Sequence, residues 1–158
     1  MWGVQKISIL VRPSSKALKW SYNMKYLVSP SELQQVESYD PEERMQYFLS
    51  RTIEAEEIWG LSNASGWVIK DDGEQSILPI WPYQQMAASC AVNEWKNYNA
   101  GSVSLEHFVY KLLPIMKQQG IRVEILPTAG EAGKKVDSEK LASIFDNMME
   151  SGEYYMEG

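Results

Sequence analysis

The chain has 158 residues, enough for one domain of ordinary size that buries its own core without covalent staples. Its 44% hydrophobic and 23% charged content is that of a folded soluble protein, and a net charge of −6 argues against a phosphate-backbone partner, whose affinity rests on Lys and Arg. Cys90 is the only cysteine, which excludes an intrachain disulfide, and no apolar run approaches the roughly 18 residues that span a bilayer. The expected compartment is therefore a reducing cytoplasm, with neither nucleic acid nor membrane as partner.

Residues 1–23 differ from the rest. They carry Lys6, Arg12, Lys16 and Lys19 and no acid, so the +4 there leaves −10 for the remainder. The stretch Ile7-Ser8-Ile9-Leu10-Val11 is too short for the apolar region of a secretory signal. Three readings stand: a lone strand or disordered tail, an upstream translation artefact with Met24 as the natural start, and a basic arm. Residues 24–150 are expected to form one domain, and residues 151–158, Gly- and Glu-rich, a flexible tail on which Tyr154-Tyr155-Met156 could still dock.

Ser29-Pro30-Ser31-Glu32 starts a short helix: Ser29 caps, Pro30 fits the first helical position, and Glu32 stands where a capping box places it. Asp40-Pro41-Glu42-Glu43 repeats that grammar. Behind it, Met45, Phe48, Leu49, Thr52 and Ile53 form an apolar face at helical spacing, with Glu42, Arg44, Gln46 and Arg51 left for solvent. Glu57 to Leu61 is a first short strand, and residues 62–66 a turn-rich connector. Trp67 to Lys70 is a second strand, with Trp67 and Ile69 on one face and Val68 and Lys70 on the other. Asp71-Asp72-Gly73 reads as a hairpin turn, because Gly73 supplies a positive φ at little cost. Ile77 to Trp81 returns as a third strand, and Pro79, which cannot donate to a ladder, marks it as an edge or a bulge.

After Trp81-Pro82, the residues Met86, Ala87, Cys90, Ala91 and Trp95 share one face of a predicted helix that residues 97–102 close. Ser104 caps the next, which bears Leu105, Phe108, Val109, Leu112, Leu113 and Met116, with a kink expected at Pro114. Ile121 to Leu126 is a fourth strand, of undetermined direction. A flexible loop over 128–135 then leads to Asp137 and a last helix with Leu141, Ile144, Phe145 and Met148. The sum is an α+β fold: a small, mostly antiparallel sheet of about four strands packed against several helices.

No catalytic or cofactor signature accompanies this pattern. The glycines form neither G-x-G-x-x-G nor a Walker loop, so no cofactor is expected. His107 lies one turn into a helix without a ligand set, and Cys90 on an apolar helix face reads as an inert thiol. Asp71-Asp72-Gly73-Glu74 lacks the alternating ligands of a calcium loop and reads as a solvated hairpin tip. Glu54, Glu56 and Glu57 cluster before the first strand, where paired carboxylates could do acid–base work if one were buried. The aromatic set is richer. Trp59, Trp67, Trp81, Tyr83 and Trp95 are close in sequence; such rings usually fill a core, but near acids they can line a cation pocket or anchor an interface.

Several of these elements fall at a familiar spacing: Ile58-Trp59-Gly60-Leu61, Gly66-Trp67-Val68, Asp72-Gly73, Pro79-Ile80-Trp81-Pro82, and Ala87 with Cys90-Ala91 and Trp95. Together with Leu105 and Phe108, Leu113-Pro114, and Val123, Ile125 and Pro127, the chain resembles a bacterial family known as domain of unknown function 2750, over Met45 to Pro127. The resemblance implies a small soluble bacterial protein and carries over no catalytic or binding residues. Two functions are consistent with the sequence. One is a non-catalytic binding protein that presents acidic and aromatic surface (Glu57, Trp59, Trp67, Asp71, Asp72, Trp81, Tyr83) to a basic protein, as an immunity-type toxin inhibitor does. The other is a small-molecule-binding protein or enzyme with a Trp-lined pocket and a carboxylate from Glu54, Glu56 or Glu57.

Overall fold

A computed structural model describes residues 5–7, 28–71 and 73–151; Met24, Asp72 and the Tyr154-Tyr155-Met156 stretch lie outside the described residues. The chain begins with strand β1 (Gln5–Ile7) and resumes with helices α1 (Pro30–Glu37) and α2 (Pro41–Ala55). Both start where the sequence places caps. The Ser29 hydroxyl accepts from the Glu32 N–H at 3.2 Å, and Asp40 and Glu43 close a full capping box at 2.8 and 2.9 Å. Strands β2 (Glu57–Asn63), β3 (Gly66–Asp71) and β4 (Ser76–Ile80) follow, then the short helix α3 (Gln84–Ser89) and strand β5 (Asn99–Ser104). Helix α4 spans residues 105–119, and strands β6 (Ile121–Ile125) and β7 (Lys134–Val136) and helix α5 (Ser138–Ser151) complete the chain.

Six strands run in the order β5-β2-β3-β4-β6-β7, with β1 pairing β3 beside that path. The fold is α+β, and the sheet is mostly antiparallel but larger than four strands. Two of the added strands lie where loops are expected. β5 pairs with β2 over its whole length, from Glu57↔Ser104 to Ser62↔Asn99. Its small residues hide it from a propensity reading; Gly60 facing Gly101 shows that tertiary pairing, not β-propensity, makes the strand. The helix expected to reach Trp95 stops at Ser89, and Asn93 takes a left-handed φ of 56°, which ends any helical continuation. β7 pairs with β6 from Ile125↔Lys134 to Val123↔Val136, so it begins inside the flexible loop expected over 128–135.

β6 lies parallel to β4, with Leu78 opposite Val123 and Ile80 opposite Ile125. Pro79 is therefore in a central strand, not at an edge. It is tolerated because the described β3–β4 ladder holds only Lys70↔Ile77 and Asp71↔Ser76, so Pro79 lies beyond its end. Ile77, Leu78 and Ile80 are all buried, and neighbouring strand residues face opposite ways, so both faces of β4 are covered.

The centre of the sheet is made by three tryptophans. Trp59 and Trp81 exchange two backbone hydrogen bonds of 2.8 Å, tying β2 directly to β4. β3 therefore pairs with β2 only at Ser62↔Trp67 and Asn63↔Gly66 before it passes to β4. The Trp67 ring lies on Gly60, where a Cβ would stand 2.7 Å from its Cε3 atom. Helix α4 departs from regularity at Phe108–Leu112, where one π-helical stretch precedes Pro114; the missing N–H of Pro114 is accommodated there by a wider turn. Phe48 of α2 and Phe145 of α5 meet with centroids 6.3 Å apart, joining helices remote in sequence.

Gly60→Ala forces its new methyl into an indole that is fully buried. We expect a loss of about 1–3 kcal/mol, the range for overpacking a filled core, read as a lowered melting temperature by circular dichroism.

Candidate functional site

The residues singled out by sequence separate on folding. Trp59, Trp67 and Trp81 belong to the core, at 3%, 0% and 0% exposure, and Tyr83 is buried beside it. Glu57 is half-buried, Glu54 and Glu56 are exposed, and Trp95 packs partly buried against the core. Asp71 is half-buried at the β3–β4 tip, where its carboxylate accepts from the Gly73 N–H at 2.9 Å; Gly73 takes the expected positive φ, 97°. The tip is a hydrogen-bonded turn, and Asp72 beside it lies outside the described residues.

Tyr83 does join a polar group. Arg51 on α2 sets its guanidinium 3.2 Å from Glu32 of α1 and 3.5 Å from Glu54, and lies over the Tyr47 ring at 5.1 Å. The Tyr47 hydroxyl donates to Glu32 at 2.6 Å. Burial, and then the Glu32 carboxylate, push the Tyr47 phenol well above its ordinary range; burial also raises Tyr83, against the pull of Arg51. Both phenols are therefore neutral hydrogen-bond donors at physiological pH, which suits holding a carboxylate rather than abstracting a proton. Arg51 and Tyr47 carried no signal in sequence beyond their places on the polar side of α2.

A second group is entirely internal. Arg44, expected in solvent, is 1% exposed. Its guanidinium donates to the carbonyls of Tyr39 at 3.0 Å, Leu126 at 2.6 Å and Glu37 at 3.1 Å, and to the Glu131 carboxylate at 3.3 Å. These acceptors explain the burial, since a guanidinium can leave water when its donors are met. Lys70 and Val68, expected to point away from the helices, are covered as well: both faces of β3 are buried, and Lys70 pairs with the fully buried Glu124. Glu124 also accepts from the Gly133 N–H at 2.8 Å. Trp81 Nε1 and the Cys90 thiol donate to one carbonyl, Pro127, at 2.8 and 3.4 Å. Arg44, Trp81, Cys90 and Glu124 each bond to the segment that follows β6, a shared structural task that accounts for their burial.

Burial pushes the Cys90 thiol up to about 11, so it is protonated at neutral pH and is no nucleophile. His107 is half-buried, and its backbone N–H donates to the Ser104 cap at 3.1 Å. Among the described residues no group of three or more His, Cys, Asp or Glu could hold a metal ion, and no helix is long and apolar enough to cross a membrane.

The fold is that of an α+β domain in which Arg44, Trp81, Cys90 and Glu124 are hydrogen-bonded to the chain itself. The family model described as "Protein of unknown function (DUF2750)" matches residues 45–144, and the chain belongs to that family. No curated protein and no solved structure matches it.

Two outcomes test this account. Arg44→Met leaves the Leu126 carbonyl without its donor, at a cost of about 1–3 kcal/mol in denaturant unfolding, and Arg44→Lys should restore little of it because one ammonium cannot span the fork. For Cys90 the sign is fixed: the folded pKa is raised, so the unfolded thiol ionises first, and stability falls as pH rises through about 9 toward 11. By pH 10 the loss should reach about 1 kcal/mol, and Cys90→Ala should remove that part of the slope.

Proposed function

We propose that this chain is a non-catalytic binding protein that presents the α1–α2 pair of helices to a basic protein. The observation that carries the reading is the placement of charge. Residues 30–57 hold eight acids against Arg44 and Arg51 alone, a local charge of −6, as large as that of the whole chain. Glu37, Asp40, Glu42, Glu43, Glu54 and Glu56 are exposed; Arg44 is buried, Arg51 is already engaged by Glu32 and Glu54, and Lys134 pairs with Glu42 at 3.0 Å, which leaves the face net negative. Such a one-signed face raises the association rate of a cationic partner and makes binding sensitive to salt. Half-buried Tyr39 and Tyr47, whose rings meet edge-on at 6.0 Å, add rigid aromatic area within the same pair of helices. An immunity-type inhibitor of a basic toxin is one protein of this kind, and a cytoplasmic setting fits the single reduced thiol.

The Trp-lined pocket has no comparable support. Its three indoles are packed in the core, and two of its three carboxylates stand in solvent.

The test uses the whole chain as bait at low and at moderate salt, beside Glu37→Gln/Glu42→Gln/Glu54→Gln/Glu56→Gln and a tip variant, Asp71→Asn/Asp72→Asn/Glu74→Gln. The expected result is a basic protein held near stoichiometrically by the wild type and the tip variant, weakened by added salt, and lost by the helix variant. A partner that the helix variant holds undiminished, or none at low salt, overturns the proposal. The replaced glutamates are exposed, so the variant should melt within about 1 kcal/mol of wild type.

A further inference from the structure

β3 carries partners on two edges. Trp67 pairs with Ser62 of β2 on one and with Ile7 of β1 on the other, where Lys6 and Gln5 continue opposite Val68 and Ile69. Among the described pairings, Val68 and Ile69 have β1 alone. Without that strand they would present an apolar row of unpaired N–H and C=O groups, the pattern to which extended segments add.

The strand that fills this edge is joined to the rest of the described chain through a long stretch of sequence. It contributes three residues of ladder and is separated by residues 8–27 from Val28. Val28 is buried and fixed, its N–H donating to Gln85 at 3.0 Å and its C=O accepting from Gln85 at 3.3 Å. The same stretch can span roughly 65 Å when extended, against a radius of gyration of about 15 Å for a chain of this size. It is therefore long enough to reach a neighbour's β3.

We propose that the β3 edge at Trp67–Ile69 is a strand-docking site and that its partner is the Gln5–Ile7 strand of a second copy of this chain. Each copy completes the other's site, in the antiparallel register that places Ile7 against Trp67 and Lys6 against Val68. The exchange substitutes a contact for an identical one, so it needs concentration rather than a new surface. It is independent of the acidic helices and stands or falls separately from them.

Light scattering on the full chain, from micromolar to millimolar, should show the mass rising from 18.1 kDa toward twice that value. In a Cys90→Ala background, Lys6→Cys and Val68→Cys are prepared separately, mixed and oxidised; a covalent dimer joining the two variants is expected. A monomer at every concentration overturns the proposal. So does a mixture without cross-linked dimer when the double variant closes its disulfide within one chain, or when it closes none. Because Val68→Cys disturbs a buried position, Lys6→Pro/Ile7→Pro provides the second arm in the otherwise native chain. Alternate residues of an antiparallel strand donate to their neighbour, so one of the two prolines removes a ladder N–H. That variant should remain monomeric at every concentration, and a dimer that persists in it overturns the proposal.

Discussion

Two backbone hydrogen bonds between Trp59 and Trp81 decide how the sheet is assembled. Once β2 is bound to β4 at that point, β3 can serve each of them only near its ends, so the three strands enclose their own tryptophans instead of forming a plain meander. The arrangement requires a residue without a side chain where β2 passes the Trp67 ring, and Gly60 meets that requirement. It also has a cost. Trp67 Nε1 is buried without a hydrogen-bond partner among the described residues, a deficit of about 1–3 kcal/mol that the burial of three indoles must exceed.

The interior polar groups answer a different problem. The segment after β6 reverses direction, with Leu126 in the left-handed region at φ 56°, and its carbonyls turn inward where water cannot reach them. Arg44, Trp81 and Cys90 take those carbonyls, and Glu124 takes the Gly133 N–H at the far end. The ion pair of Glu124 with Lys70 follows from this, because a buried carboxylate needs a counter-charge nearby. What resembles a reactive cluster in a list of titratable residues is a set of pegs. On the described surface the most uneven feature is the acidic pair of helices.

Much of this was legible because it is local. The proline-led caps at Ser29 and Asp40, the α2 face and the Gly73 turn rest on contacts within a few residues, and the strands from Glu57 to Trp81 on their β-forming residues and turns. What escaped is what distant chain supplies. β5 is a strand because β2 lies beside it, β7 because β6 does, and Pro79 is central because the ladder to β3 ends before it. Arg44 shows the same limit at the level of one side chain: three of its acceptors are backbone carbonyls, which no residue pattern displays. The candidate site was legible only in part. The tryptophans proved to be core, the expected role for rings of that size, and of the named candidates Tyr83 and Glu54 joined the group around Arg51.

The parallel pairing of β4 with β6 has a consequence for the order in which the structure can arise. The β2–β3 and β3–β4 ladders close over a few residues, whereas Ile80 meets Ile125 only after α3, β5 and α4 have been traversed. Loop-closure entropy therefore favours the tryptophan kernel early and the parallel ladder late. Until β6 arrives, one side of β4 is a bare apolar edge that offers the backbone groups of Leu78 and Ile80. Pro79 does not blunt that edge, because its nitrogen faces the same side as that of Trp81, toward β2 and β3; the row that awaits β6 is complete, and β4 stays open to other chains until β6 covers it.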